Sequence, residues 1–166
     1  MDSVIKQKML DYLLHNNLIS RHQHGFLSII LHVHSCLNAI HNSYSVDVAY
    51  IDFCKAFDSV CHSKLLRKLE SVGIGGNLLS WMNDYLSNRT QRVKVGNCFS
   101  SLSNVCSGVP QRSVLGPVLF LIYINDLIYV FGNSLSVKLF ADDVKVYAVL
   151  DSDVKVHLLQ EGLSID

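Results

Sequence analysis

The sequence predicts an α+β fold in which an antiparallel sheet packs on helices. Three observations carry that expectation. Residues 4–15 and 63–86 repeat apolar side chains at the spacing of a helix. Residues 45–53 and 135–147 are rich in strand-forming side chains. No internal repeat, low-complexity tract or clear linker divides the chain.

Each element follows from local signals. Between Val4 and His15, the side chains of Ile5, Met9, Tyr12 and Leu13 share one stripe, which predicts a first helix. Residues 16–26 are a looser segment, and residues 27–40 are apolar enough for a second helix. Residues 45–53 (SVDVAYIDF) read as a buried strand ending in a carboxylate, Asp52. Ser63 is placed to cap a helix whose Leu65, Leu66 and Leu69 face inward and which Gly73 stops. Gly75-Gly76 opens the next helix, striped by Leu78, Leu79, Met82 and Leu86. Residues 90–95 alternate, with Val93 and Val95 on one side and Arg92 and Lys94 on the other. Gly96-Asn97 reads as a hairpin turn and residues 99–105 as the return strand. A loop covers residues 107–113, and an apolar helix begins near Val114. A hairpin follows with Phe140-Ala141-Asp142-Asp143 at its tip, and a last helix starts after Ser152.

Composition bounds the function. The chain has 166 residues, 49% hydrophobic and 17% charged, which suffices for one core and excludes a disordered chain. Its formal net charge is zero, which counts against strong nucleic-acid binding by this chain alone. The five cysteines form no CxxC pair, and the N-terminus carries no secretory signal. An intracellular setting, nuclear or cytoplasmic and not secreted, is expected. The apolar stretch 114–131 contains Asn125 and Asp126 and carries Gly116-Pro117 near its start, so a buried helix is expected rather than membrane association. His22-x-His24 and His32-x-His34 lack a nearby cysteine or carboxylate cluster and read as ordinary histidines.

Asp142 and Asp143 carry the chemistry. Two adjacent carboxylates at a hairpin tip repel each other, and a cation relieves that repulsion. Hard oxygen ligands of this kind suit Mg²⁺. Taken alone, the pair reads as a solvated turn. If the strand ending in Asp52 neighbours the hairpin, three carboxylates converge, as two Mg²⁺ ions require for in-line displacement at phosphorus.

Four motifs then occur in order. Residues 50–58 (YIDFCKAFD) resemble the first catalytic motif of the reverse transcriptases of non-LTR retrotransposons. Residues 107–117 (SGVPQRSVLGP) resemble that family's second motif, YINDL at 123–127 the helix after it, and FADD at 140–143 the catalytic hairpin. QHGF at 23–26, HSKLLRKLESVGI and WMNDYLSNRTQRV are similar to intervening segments, so the resemblance covers nearly the whole chain. YINDL and the WMNDYLSNRTQRV block favour the retrotransposon branch over an intron maturase.

The resemblance implies a right-hand polymerase palm with partial fingers. Residues 1–45 would be fingers-like, 46–150 the palm core, and 151–166 the cut-short start of a following helix, with the thumb absent. It implies an RNA-directed DNA polymerase, a nucleotidyltransferase that uses two Mg²⁺ ions, with Mn²⁺ as a substitute. The partners expected for the full-length parent are an RNA template, a DNA primer and dNTPs. Asp52, Asp142 and Asp143 would be the catalytic, metal-binding carboxylates. Phe57, which by residue type alone reads as core, matches the bulky residue under the sugar that rejects a 2′-hydroxyl. Gln111 matches a polar residue near the incoming nucleotide. Asp58 is expected to cap a short helix, Asp126 to serve packing or a local hydrogen bond, and Arg89, Arg92 and Lys94 to lie on a solvated face.

Three departures argue that the chain is an impaired or inactive fragment. Arg112 stands where the family has glycine, a residue that allows positive φ or a close backbone approach. After QHGF the chain continues LSIILH where the family carries basic residues that help hold phosphate or template. The chain also ends before the family's later palm motifs and thumb. The alternative is a non-catalytic nucleic-acid-binding or interaction remnant of such a polymerase.

Overall fold

In the computed structural model the described residues are 2–25, 45–132 and 135–150. The helices expected over 27–40 and from 152, and the His32-x-His34 pair, lie outside them. The chain divides into two units, which are taken separately.

The first unit comprises Met1–Leu18 and Lys55–Tyr123. Helix α1 (Asp2–His15) buries Met9 and Leu13. Tyr12, expected on the same stripe, is instead 41% exposed, and its hydroxyl donates to the Val72 carbonyl at 3.0 Å. Helix α2 (His62–Ser71) buries Leu65 and Leu69 as expected. Its N-cap is Cys61 rather than Ser63, because the first helical bond already runs from the Leu65 N–H to the Cys61 carbonyl at 2.9 Å. Gly73 (φ 86°) ends α2 as expected. Its N–H donates to the Glu70 carbonyl and the Ile74 N–H to the Leu69 carbonyl, both at 2.9 Å. That pair of bonds is a Schellman motif, and it satisfies two terminal carbonyls.

Helix α3 (Gly76–Leu86) buries Met82 and Leu86 and packs against α2. Residues 90–104 form two short ladders rather than one hairpin. Strand β2 (Thr90–Gln91) pairs with β5 (Ser103–Asn104), and β3 (Lys94–Val95) pairs with β4 (Cys98–Phe99) across the expected Gly96-Asn97 turn. The registers of the two ladders differ by one residue, so residues 92–93 face residues 100–102 across a bulge. There the Val93 N–H donates to the Ser100 hydroxyl at 2.9 Å. Helix α4 (Gly116–Ile124) is apolar on every side, and Val118, Leu119, Phe120, Leu121 and Ile122 are all buried.

The second unit comprises Ile19–Cys54 and Ile124–Asp166. The apolar stretch expected as one helix is split: after α4 a 3₁₀ turn covers Leu127–Phe131. At the break, the Asn125 side-chain oxygen accepts the Ser20 N–H at 2.8 Å. Among the described residues no helix is long and apolar enough to cross a membrane. Strands β1 (Ser45–Asp52), β6 (Ser136–Phe140) and β7 (Asp143–Leu150) form one antiparallel sheet in the order β1-β7-β6. Val137, Leu139, Val144, Val146 and Ala148 face a hydrophobic cluster with Phe131 and Leu135, and Ile51 and Phe53 pack against it. Strand β1 was expected to be buried and is not. Among the described residues it lies at the sheet edge, with Val48 37% and Tyr50 77% exposed. Its apolar side chains alternate, so only one set reaches the cluster.

Candidate active site

The strand pairing of the second unit sets the site. In β1–β7 every residue from Ser45 to Asp52 has a partner, and the register ends on Asp52 opposite Asp143. Directly paired residues in an antiparallel sheet project to the same face, about 4.5–5.5 Å apart at Cα. That face is opposite the one lined by Val144 and Val146, so the period of two leaves both carboxylates outside the core. Both residues are exposed.

Asp142 lies beside them in the turn. Phe140 pairs with Asp143, which leaves Ala141-Asp142 as a two-residue hairpin loop. Ala141 has φ 56° and Asp142 does not share a positive φ, the φ pattern of a type II′ turn. Asp142 is half-buried. The structure therefore brings Asp52 and Asp143 into facing register, with Asp142 adjacent in sequence. Among the described residues no group of three or more His, Cys, Asp or Glu is gathered as a metal cage. The donor set itself, carboxylate oxygens on an exposed sheet edge and turn, suits a hard cation.

The same face carries two lysines. Lys138 and Lys145 are directly paired across β6 and β7, and the Lys145 ammonium lies 5.4 Å from the Tyr50 ring centre. Burial holds the Lys138 amine below the ordinary lysine value.

Phe57, Gln111 and Arg112 lie in the first unit. Phe57 stacks on Phe120 of α4 with ring centres 4.1 Å apart. The loop after the small ladders is laced to residues 57–62: the Val109 N–H donates to the Phe57 carbonyl at 2.9 Å and the Gly108 N–H to the Val60 carbonyl at 2.8 Å. The Gln111 amide donates to an Asp58 carboxylate oxygen at 2.7 Å. This corrects the expectation for Asp58. Residues 54–59 are turns, the next helix is capped by Cys61, and Asp58 holds Gln111 instead. Gln111, Asp58, Lys55 and Arg89 line an open cleft of about 870 Å³. Arg112 is exposed with φ 58°. Arg92 and Lys94 stand over the Phe99 ring, at 4.2 and 5.3 Å, on the exposed ladder.

Two residues went unremarked in the sequence beyond their place in QHGF. Gln23 is 1% exposed, and its side-chain oxygen accepts the Gly25 N–H at 2.7 Å and the Ala141 N–H at 3.1 Å. A Cβ on Gly25 would stand 2.2 Å from the Ala141 nitrogen. No local pattern announces a contact 118 positions apart in sequence.

The family profile described as "Reverse transcriptase (RNA-dependent DNA polymerase)" matches residues 1–163. The chain is similar to a "Probable RNA-directed DNA polymerase from transposon X-element" of Drosophila melanogaster, 28% identical over 156 residues, covering 87% of this chain and 17% of that protein. It is also 35% identical over 95 residues to an "RNA-directed DNA polymerase from mobile element jockey" of the same organism, covering 57% of this chain and 10% of that protein. These spans amount to 17% or less of the relatives' own lengths. Among solved structures, telomerase from Candida albicans in complex with a TWJ fragment of telomeric RNA is similar with a TM-score of 0.58 at 11% identity, covering 99% of this chain and 31% of that one. At that identity the likeness is one of fold.

Proposed function

The chain belongs to the reverse transcriptase (RNA-dependent DNA polymerase) family, as found in non-LTR retrotransposons, and on that premise we propose that it carries the palm carboxylates of an RNA-directed DNA polymerase, Asp52, Asp142 and Asp143. The observation that carries the reading is the facing register of Asp52 and Asp143 at the base of the hairpin turn that holds Asp142. Two divalent cations, Mg²⁺ or Mn²⁺, would supply activation of a primer 3′-hydroxyl and neutralisation of charge on the departing pyrophosphate. Asp52 and Asp143 would hold them from the sheet and Asp142 from the turn. RNA template, DNA primer and dNTPs are the substrates of this reading.

In the other unit, Gln111 would face the incoming nucleotide with its amide oriented by Asp58. Phe57, held by its stack on Phe120, would lie under the sugar and exclude a 2′-hydroxyl. Residues 1–45 would be fingers-like and 46–150 the palm core. Arg112 impairs the reaction by placing a long cationic side chain in the loop that presents Gln111.

The test joins Mn²⁺ binding to primer extension on an RNA template with dNTPs, using the wild type, Asp142→Asn and Arg112→Gly. We expect Mn²⁺ to bind the wild type and bind at least about tenfold more weakly after Asp142→Asn, since one ionised ligand is lost. Extension should be weak in the wild type and rise in Arg112→Gly. Mn²⁺ affinity indifferent to Asp142→Asn would overturn the metal role, and robust wild-type extension would overturn the impairment. RNA binding that is weak and salt-sensitive, with no Mn²⁺ bound, would point to the non-catalytic remnant.

A further inference from the structure

We propose that Gln23 is a positioning residue for the carboxylate hairpin: its side-chain oxygen fixes the turn at Ala141 and so sets where Asp142 and Asp143 stand. The inference rests on the reading of those two aspartates as metal-binding.

The argument begins at the turn. A two-residue loop of this φ pattern favours glycine at its first central position, and this chain has Ala141 there at φ 56°. An L-residue is disfavoured in that conformation, so a contact from outside the turn helps to hold it. Ala141 is also 6% exposed. Its N–H belongs to the loop rather than to the β6–β7 ladder, and a buried N–H without a partner is destabilising. Gln23 supplies that partner at 3.1 Å.

The surrounding backbone brings Gln23 to this place. Residues 22–24 bridge in parallel to Leu139 of β6: the Leu139 N–H donates to the His22 carbonyl at 2.8 Å and the His24 N–H to the Leu139 carbonyl at 2.7 Å. The His22 ring nitrogen Nδ1 adds a bond to the Val137 carbonyl at 3.0 Å. The segment thus continues the sheet beyond β6 and reaches the turn with Gly25, where any side chain would collide with the Ala141 backbone.

The orientation of the Gln23 amide is dictated. Two backbone N–H groups converge on one of its atoms, so that atom is the oxygen, since a reversed amide would set N–H against N–H. The other end, Nε2, is buried and finds no acceptor among the described residues. Among the described residues this fully buried amide is engaged through its oxygen alone. The oxygen joins Gly25 to Ala141, the residue directly before the two aspartates, so a shift of the turn would move both carboxylates together.

The experiment uses the full chain, ¹⁵N- and ¹³C-labelled, with Mn²⁺ as the metal probe. In the metal-free wild type, a scalar coupling across the hydrogen bond should link the Ala141 amide nitrogen to the Gln23 side-chain carbonyl carbon; its absence overturns the contact. Gln23→Leu removes the acceptor. It should speed exchange of the Ala141 amide and weaken Mn²⁺ binding, each roughly tenfold, while the Val144 and Val146 amides keep their protection. Gln23→Glu keeps an acceptor oxygen at the same reach and should hold both quantities within about threefold of the wild type. Gln23→Asn, which withdraws the oxygen by one methylene, should behave as Gln23→Leu does, and serves if the leucine variant fails to fold. Mn²⁺ affinity unchanged in Gln23→Leu and Gln23→Asn would overturn the positioning role. A wild type that binds no Mn²⁺ would overturn the metal-site reading instead, and Ala141 exchange in the variants would then decide the positioning of the turn by itself.

Discussion

Replacing Arg112 by glycine should stabilise the chain, and replacing it by alanine should not. Arg112 is the third residue of a turn in which the Ser113 N–H donates to the Pro110 carbonyl at 3.3 Å. Its φ is 58°, while Gln111 before it has no positive φ, so the turn has the φ pattern of type II, which calls for glycine at this position. An L-residue held there costs about 1–2 kcal/mol relative to glycine. The side chain is exposed, so removing it forfeits little packing. Against the relief stands the greater freedom of glycine in the unfolded chain, about 0.4–1 kcal/mol. The balance is about 0–1.6 kcal/mol in favour of glycine. Alanine keeps the Cβ that causes the strain, so the difference between the two variants isolates the backbone. For a chain of this size that difference corresponds to a Tm gap of roughly 2–4 °C per kcal/mol. Thermal and urea unfolding followed by far-ultraviolet circular dichroism would measure it. Arg112→Ala exceeding Arg112→Gly in stability by both routes would refute the strain account, and with it the reason for expecting glycine in this loop.

Other perturbations read neighbouring parts of the structure. Gly108 has φ 88°, and a Cβ there would stand 2.9 Å from the Asp58 Cα and carbonyl oxygen, so Gly108→Ala should lower the urea midpoint by an amount equivalent to at least about 2 kcal/mol. Lys138 is titrated more easily folded than unfolded, because burial lowers its amine from the ordinary 10.5. The unfolded chain therefore binds more protons across the alkaline window ending near that value, and stability from this group rises with pH there. Lys138→Met should remove that rise and, by also removing a like-charge pair with Lys145, raise the urea midpoint at neutral pH. The Ser63 hydroxyl and the Lys64 backbone N–H hold the Cys61 thiol below the ordinary range, so Cys61 should alkylate with iodoacetamide faster than the more exposed Cys98 and Cys106. Peptide mass mapping would follow the rates, and Ser63→Ala should narrow the difference.

The helices were legible because their signals are local. Leu65 and Leu69 of α2 and Met82 and Leu86 of α3 were read as inward-facing, and all four are buried. Gly73 was legible as a stop because a left-handed residue after a helix favours glycine. What failed depended on partners. SVDVAYIDF looked buried because it is apolar, but burial of a strand is set by what lies on either side of it, and β1 has a strand neighbour on one side only among the described residues. Ser63 looked like a cap by residue type, but the helix had already begun at His62, with the Leu65 N–H bonded to the Cys61 carbonyl. The long ladder expected over 90–105 is split where residues 92–93 face residues 100–102, a one-residue bulge that residue alternation did not reveal.

The carboxylates show the same division more sharply. Asp52 was legible as the end of a strand, and Asp142-Asp143 as the tip of a hairpin. Their register was not, and a slip of one residue would have turned Asp143 toward the hydrophobic cluster. The observed register fixes the parity: Asp143 shares the face of Asp52, and Val144 takes the core. Parity also makes the two adjacent aspartates inequivalent. Neighbouring residues of a strand point to opposite faces, so Asp142 cannot join Asp52 and Asp143 by lying on the strand. It can approach their side only from the turn, and the turn exists in its present form because Ala141 is held at a positive φ. Any third ligand from this pair therefore depends on the backbone before it as well as on the aspartate itself. The control of that backbone lies 118 residues away at Gln23, and a motif search centred on the acidic residues would pass over it.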